Sequence, residues 1–84
     1  MIFIYKNRNY NGALNISGEK IAALRKKMTP KVSQRAFAEK LQLVGIDLDK
    51  NAIQRIEGGK RFVTDIELKG IARLLGVSAD ELLK

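Results

Sequence analysis

The sequence predicts an all-α domain: a compact bundle of about five helices preceded by an N-terminal arm. Three observations carry this. Apolar residues recur at helical rather than alternating spacing from residue 18 onward, beginning with Ile21, Leu24 and Met28. Hydroxyl and Asp residues stand where helices must start, twice with a Glu three positions on, as Thr64 with Glu67 and Ser78 with Glu81. Breakers stand where helices must stop: Pro30, Gly45, the pair Gly58-Gly59, and Gly76.

Residues 1–17 form the arm. They open with the β-forming run Met1-Ile2-Phe3-Ile4-Tyr5, then scatter Asn7, Asn9, Asn11 and Asn15 around an Asn11-Gly12 turn signal. The domain proper is residues 18–84. Its first helix carries Ile21, Leu24 and Met28 inward and Lys20, Arg25, Lys26 and Lys27 on other faces, and Thr29-Pro30 ends it. Ser33 caps the second helix, whose buried stripe is Phe37, Ala38, Leu41 and Val44, with Gly45 terminating it in a left-handed conformation. Asp49 or Asp47 caps the third, with Ala52, Ile53 and Ile56 inward, and it ends at Gly58-Gly59. Leu68, Ile71, Ala72 and Leu75 form the inner face of the fourth, and Leu82 and Leu83 give the fifth an apolar end.

Composition excludes whole classes of function. With 84 residues there is room for one modest core. The absence of Cys and His removes thiol chemistry, disulfides, the usual zinc ligands and the usual neutral-pH general base, so neither catalysis nor a metal or other cofactor is expected, and no small-molecule ligand is evident. The run Met1–Tyr5 is far too short to span a bilayer and lacks the flanks of a signal peptide, which places the protein in the cytoplasm. The net charge of +7 is unevenly placed: residues 1–61 hold 13 Lys/Arg against 5 Asp/Glu, residues 62–84 hold 3 against 4. The basic excess therefore coincides with the second and third helices.

Those two helices, between Ser33 and Arg61, are the candidate site. Two short helices in succession form a helix-turn-helix when the second presents a polar face that fits the major groove. Here that face carries Lys50, Asn51, Gln54 and Arg55; Arg and Lys suit guanine, and Asn or Gln suits adenine. Double-stranded DNA is the expected partner.

The combination of Gly18-Glu19-x-Ile21 and Leu24-Arg25, then Ser33-Gln34 with Phe37-Ala38-Glu39-x-Leu41, Ile53-x-Arg55-Ile56-Glu57-x-Gly59-Lys60-Arg61, and Ile71-Ala72 through Leu75-Gly76-Val77-Ser78 to Leu82-Leu83 resembles the lambda-repressor and Cro type of helix-turn-helix domain, the xenobiotic-response-element class. The resemblance covers residues 18–84. It implies that Lys50, Asn51, Gln54 and Arg55 contact bases. It further implies that Gln34 meets a phosphate while its amide braces the start of the reading helix, and that Lys60 and Arg61 clamp phosphates, with help from Lys31 and Arg35. Arg25 and Glu57 are expected to pair as a structural bond between the first and third helices. Homodimers reading two half-sites are usual in this class.

Three departures bear on the transfer. The connection Gln42 through Leu48 is about five residues longer than the usual tight turn, which would shift the angle of the reading helix. The link Met28–Val32 is also long, and is expected to extend the first helix by part of a turn. Gly58 replaces a frequent polar residue, so any phosphate contact there is left to backbone.

The leading reading is a transcriptional regulator of a bacterium, phage or mobile element, a repressor that occupies its operator as a homodimer. With no ligand-sensing segment after Lys84, regulation is expected through abundance, proteolysis or a partner. An antitoxin or other protein-binding module of the same fold is the alternative; an RNA adaptor lacks the aromatic platform. Assembly is expected through the arm, Ile2–Tyr5, or the Leu82-Leu83 edge. The arm can alternatively lay Lys6 and Arg8 along a groove or remain a disordered extension.

Overall fold

Side-chain caps set where four helices begin. In the computed structural model, which describes residues 12–84, the order is α1 (Gly18–Lys26), α2 (Gln34–Leu43), α3 (Lys50–Glu57), α4 (Asp65–Leu75) and α5 (Ala79–Leu83), with no strand among the described residues. Ser33, Asp49, Thr64 and Ser78 each accept a backbone N–H of the first turn that follows, which satisfies one of the donors a helix start leaves orphaned. Asp49, not Asp47, is the cap of α3. The Thr64–Glu67 box is reciprocal, with Glu67 accepting from the Thr64 N–H at 3.1 Å. The Ser78–Glu81 box is only half formed: the Ser78 hydroxyl accepts the Glu81 N–H, and the Glu81 carboxylate accepts from the Lys84 ammonium at 3.0 Å.

Burial drives the assembly. Ile21 of α1, Phe37 and Leu41 of α2, Ile53 and Ile56 of α3, Ile71 of α4 and Leu82 of α5 are fully buried in one cluster. α3 packs on both α1 and α2, and α4 closes the bundle against α1, α2 and α5.

The connections depart from expectation in two places. α1 is not extended: it stops at Lys26, and Arg25 ties the following link down by donating to the Val32 carbonyl at 2.9 Å. Val44 does not join the core; it is 59% exposed, because α2 ends one residue earlier and the chain turns away. Gly45 makes that turn at φ +85°, where only glycine sits without strain, and the Ile46 N–H returns to the Leu41 carbonyl at 2.9 Å. Leu48, further along the connection, is buried in the core. The extra length between α2 and α3 therefore carries a core residue of its own.

The N-terminal boundary drawn at residue 17 is crossed by contacts. Ser17 and Gly18 are buried, and the Leu14 N–H donates to the Gly59 carbonyl at 2.8 Å. Residues 1–11, which include Ile2–Tyr5, Lys6 and Arg8, lie outside the described residues. No helix among the described residues is long and apolar enough to cross a membrane.

Candidate nucleic-acid interface

The polarity of α3 is divided lengthwise. Ile53 and Ile56 point into the core, whereas Lys50, Asn51, Gln54 and Arg55 are all exposed. At 3.6 residues per turn those four fall within roughly 140° of arc, one continuous polar face. Ala52 is small and half-buried, so it lets α3 lie close to the bundle without interrupting that face.

The orientation of this helix is held at its C-terminal end by a bonded group that joins three helices. Arg25 and Glu57 make a bidentate ion pair, Nε to Oε2 at 2.7 Å and Nη2 to Oε1 at 3.0 Å, with side chains only 10% and 7% exposed. The remaining Arg25 nitrogen, Nη1, serves the Val32 carbonyl just ahead of α2. Gln34 completes the set by donating its amide to Glu57 Oε1 at 2.9 Å. The Gln34 brace thus meets the end of α3, not its start, because Glu57 at the end offers the carboxylate. Hydrogen bonding to Glu57 raises the Arg25 guanidinium further above its ordinary value, outweighing desolvation, so its charge is permanent. Each member of this group fixes α2 against α3, which is the relation a helix-turn-helix depends on.

The corner after α3 is held as tightly. Gly59 at φ +73° closes the helix, with the Gly59 N–H on the Ile56 carbonyl and the Lys60 N–H on the Arg55 carbonyl at 2.8 Å. Asn15 then reaches this corner from the N-terminal side. Its amide donates to the Ile56 carbonyl at 3.1 Å and the Arg61 carbonyl at 2.8 Å, while its oxygen accepts the Gly18 N–H at 2.7 Å. Sequence reasoning missed Asn15. Its only local signal is the Asn-x-x-Gly spacing ahead of α1, an Asx cap pattern hidden among the arm's three other asparagines, Asn7, Asn9 and Asn11.

The cations expected at phosphates divide into two groups. Lys31, Arg35 and Lys60 are exposed on either side of α3 in the chain. Arg61 is engaged: its guanidinium forms a two-pronged bond with Glu67, at 2.9 and 3.2 Å, and also donates to the Phe62 carbonyl. Arg61 therefore serves first to fasten the α3–α4 corner to the start of α4. The Arg61 hydrogen bonds, with the Thr64 N–H, hold the Glu67 carboxyl below its ordinary range. A carboxyl lowered in the folded state contributes stability that is complete above the ordinary glutamate range and is lost as pH falls through it. Acid titration of the melting temperature between about pH 5 and 3 is accordingly expected to fall less steeply in Glu67→Gln than in the natural chain; equal slopes would mean that the pair adds nothing.

No protein-family model and no solved structure matches the chain. The control protein C.MunI of a Mycoplasma species is 40% identical over 65 residues, which cover 77% of this chain and 80% of that protein. At that identity and mutual coverage the chain belongs, with its helix-turn-helix architecture, to the family of the control protein C.MunI.

Proposed function

We propose that the chain is a sequence-specific DNA-binding transcriptional regulator of the cytoplasm, a repressor that acts by occupying operator DNA as a homodimer. The observation that carries this reading is the exposed face of Lys50, Asn51, Gln54 and Arg55 on a helix whose other face is locked into the core and whose end is braced by Arg25, Glu57 and Gln34. A helix already held by the bundle needs no backbone ordering on binding, so the entropy lost in reading base edges is confined to these side chains. The net charge of +7 and the exposed Lys31, Arg35 and Lys60 favour a polyanion, and the relative's name, control protein, agrees with a regulatory role. The action is binding, not catalysis.

Selection on random duplex DNA should enrich a palindrome, the signature of two symmetric half-sites. On that sequence Arg55→Ala is expected to weaken binding by about 1–3 kcal/mol and to relax preference at one base position. Equal weakening on every sequence would make Arg55 a phosphate contact, and enrichment of no motif would overturn sequence-specific recognition.

A further inference from the structure

The three most exposed large aliphatic side chains among the described residues lie at the end of α2 and on α4. Leu43 is 86%, Val44 59% and Ile66 70% exposed. Val44 and Ile66 border a shallow cavity of about 310 Å³ whose remaining walls are Ile46, Lys69, Gly70 and Arg73. Its floor is apolar because Ile46 lies across Gly70: a Cβ at residue 70 would come within 2.7 Å of Ile46 Cγ1. Single exposed aliphatics are ordinary on a protein surface, but several joined by an apolar floor mark a surface that is covered when the protein works.

We infer that this face of α4, with the α2–α3 connection beside it, is where a second copy of the same chain packs, the two α4 helices running antiparallel. The inference rests on the homodimer proposed above and assigns its interface. The occupant is indicated by the charges. Asp65, Lys69 and Arg73 lie at i, i+4 and i+8 along the same stripe of α4 as Ile66, all exposed. A rim of one sign would call for a partner of the other sign. This rim has acid at its N-terminal end and base at its C-terminal end, so its two ends complement each other when reversed, while the two Lys69 side chains, which meet near the axis, extend past each other into solvent. A two-fold axis near Lys69 and Gly70 sets Asp65 beside the partner's Arg73, and the same pair recurs on the other side of the axis. Ile66, Val44 and Leu43 of each copy then close over the other's apolar floor.

The expected C-terminal edge does not supply this surface, because Leu82 is fully buried and only Leu83 is exposed. The longer α2–α3 connection does: it brings Ile46 onto α4 and leaves Leu43 and Val44 facing outward at its start.

The test uses the full chain and sedimentation equilibrium, with thermal melts to verify that each variant is folded. Asp65→Arg and Arg73→Asp should each raise the dimer dissociation constant about tenfold, since each sets two like-charged pairs across the axis. Mixed in equal amounts, the two variants should form a heterodimer of near-natural affinity, because both pairs are then opposite in sign. Ile66→Ser, at a position too exposed to matter for folding, should weaken the dimer independently. If the natural chain and all three variants dimerise equally, or if mixing rescues nothing, the interface lies elsewhere and the inference fails while the homodimer stands. A natural chain that is monomeric both free and on its palindrome would instead overturn the homodimer itself.

Discussion

Glu57→Ala is expected to lower stability by about 3 kcal/mol, because it leaves the Arg25 guanidinium buried without its counter-charge. For a domain of this size that corresponds to a fall of on the order of 15 °C in melting temperature. The loss comes less from the attraction removed than from the charge stranded. Arg25 would keep only the Val32 carbonyl, and Gln34 would lose its acceptor, so α2 would be less firmly held against α3. DNA affinity should therefore drop even at temperatures where the variant is fully folded. A destabilisation below about 1 kcal/mol would reduce the pair to an ordinary surface contact.

Gly18→Ala should destabilise by about 1–3 kcal/mol, through overpacking at a close backbone approach. The sign is the informative part. Helix propensity alone favours Ala over Gly by about 1 kcal/mol, so a substitution in the first turn of α1 would be expected to help. Here the added Cβ would overlap the Ile56 carbonyl oxygen and lie 3.1 Å from the Glu57 carbonyl and 3.0 Å from Asn15 Oδ1. Two of those neighbours are backbone at the end of α3 and cannot rotate aside. A melting temperature equal to or above that of the natural chain would show that α1 is free to shift away from α3.

These two sites illustrate which features were legible in the sequence. Helix starts were readable because a cap and the backbone N–H that donates to it lie within four residues, as with Ser33 and Thr64, and local spacing is enough to identify them. The core stripe was readable wherever the helical period ran unbroken. It failed at Val44 and Leu48, where the period is interrupted and a loop residue replaces the expected helix residue in the core. Arg25 and Glu57 were paired only through the family resemblance, since no periodicity links residues 32 apart. The Arg61–Glu67 bond was concealed for another reason: each residue already had a role, one as a phosphate cation and one as a capping-box acid, and a carboxylate with two oxygens fills both. Asn15 and the apolar face of α4 depend on how distant segments meet, which neither composition nor spacing encodes.

The Asn15 clamp bears on how the chain is made. Its two carbonyl partners lie 41 and 46 residues downstream, so beyond its local bond from the Gly18 N–H the Asn15 side chain fastens nothing until the end of α3 and the first residues after it have followed. At roughly 5–20 residues per second, that interval is about 2 to 9 seconds of synthesis. Throughout it α1 has neither the clamp nor Glu57, and a short isolated helix is marginal in water. The segment ahead of α1 is thus fastened long after it is made, and the corner after α3 becomes rigid only once Arg61 has emerged.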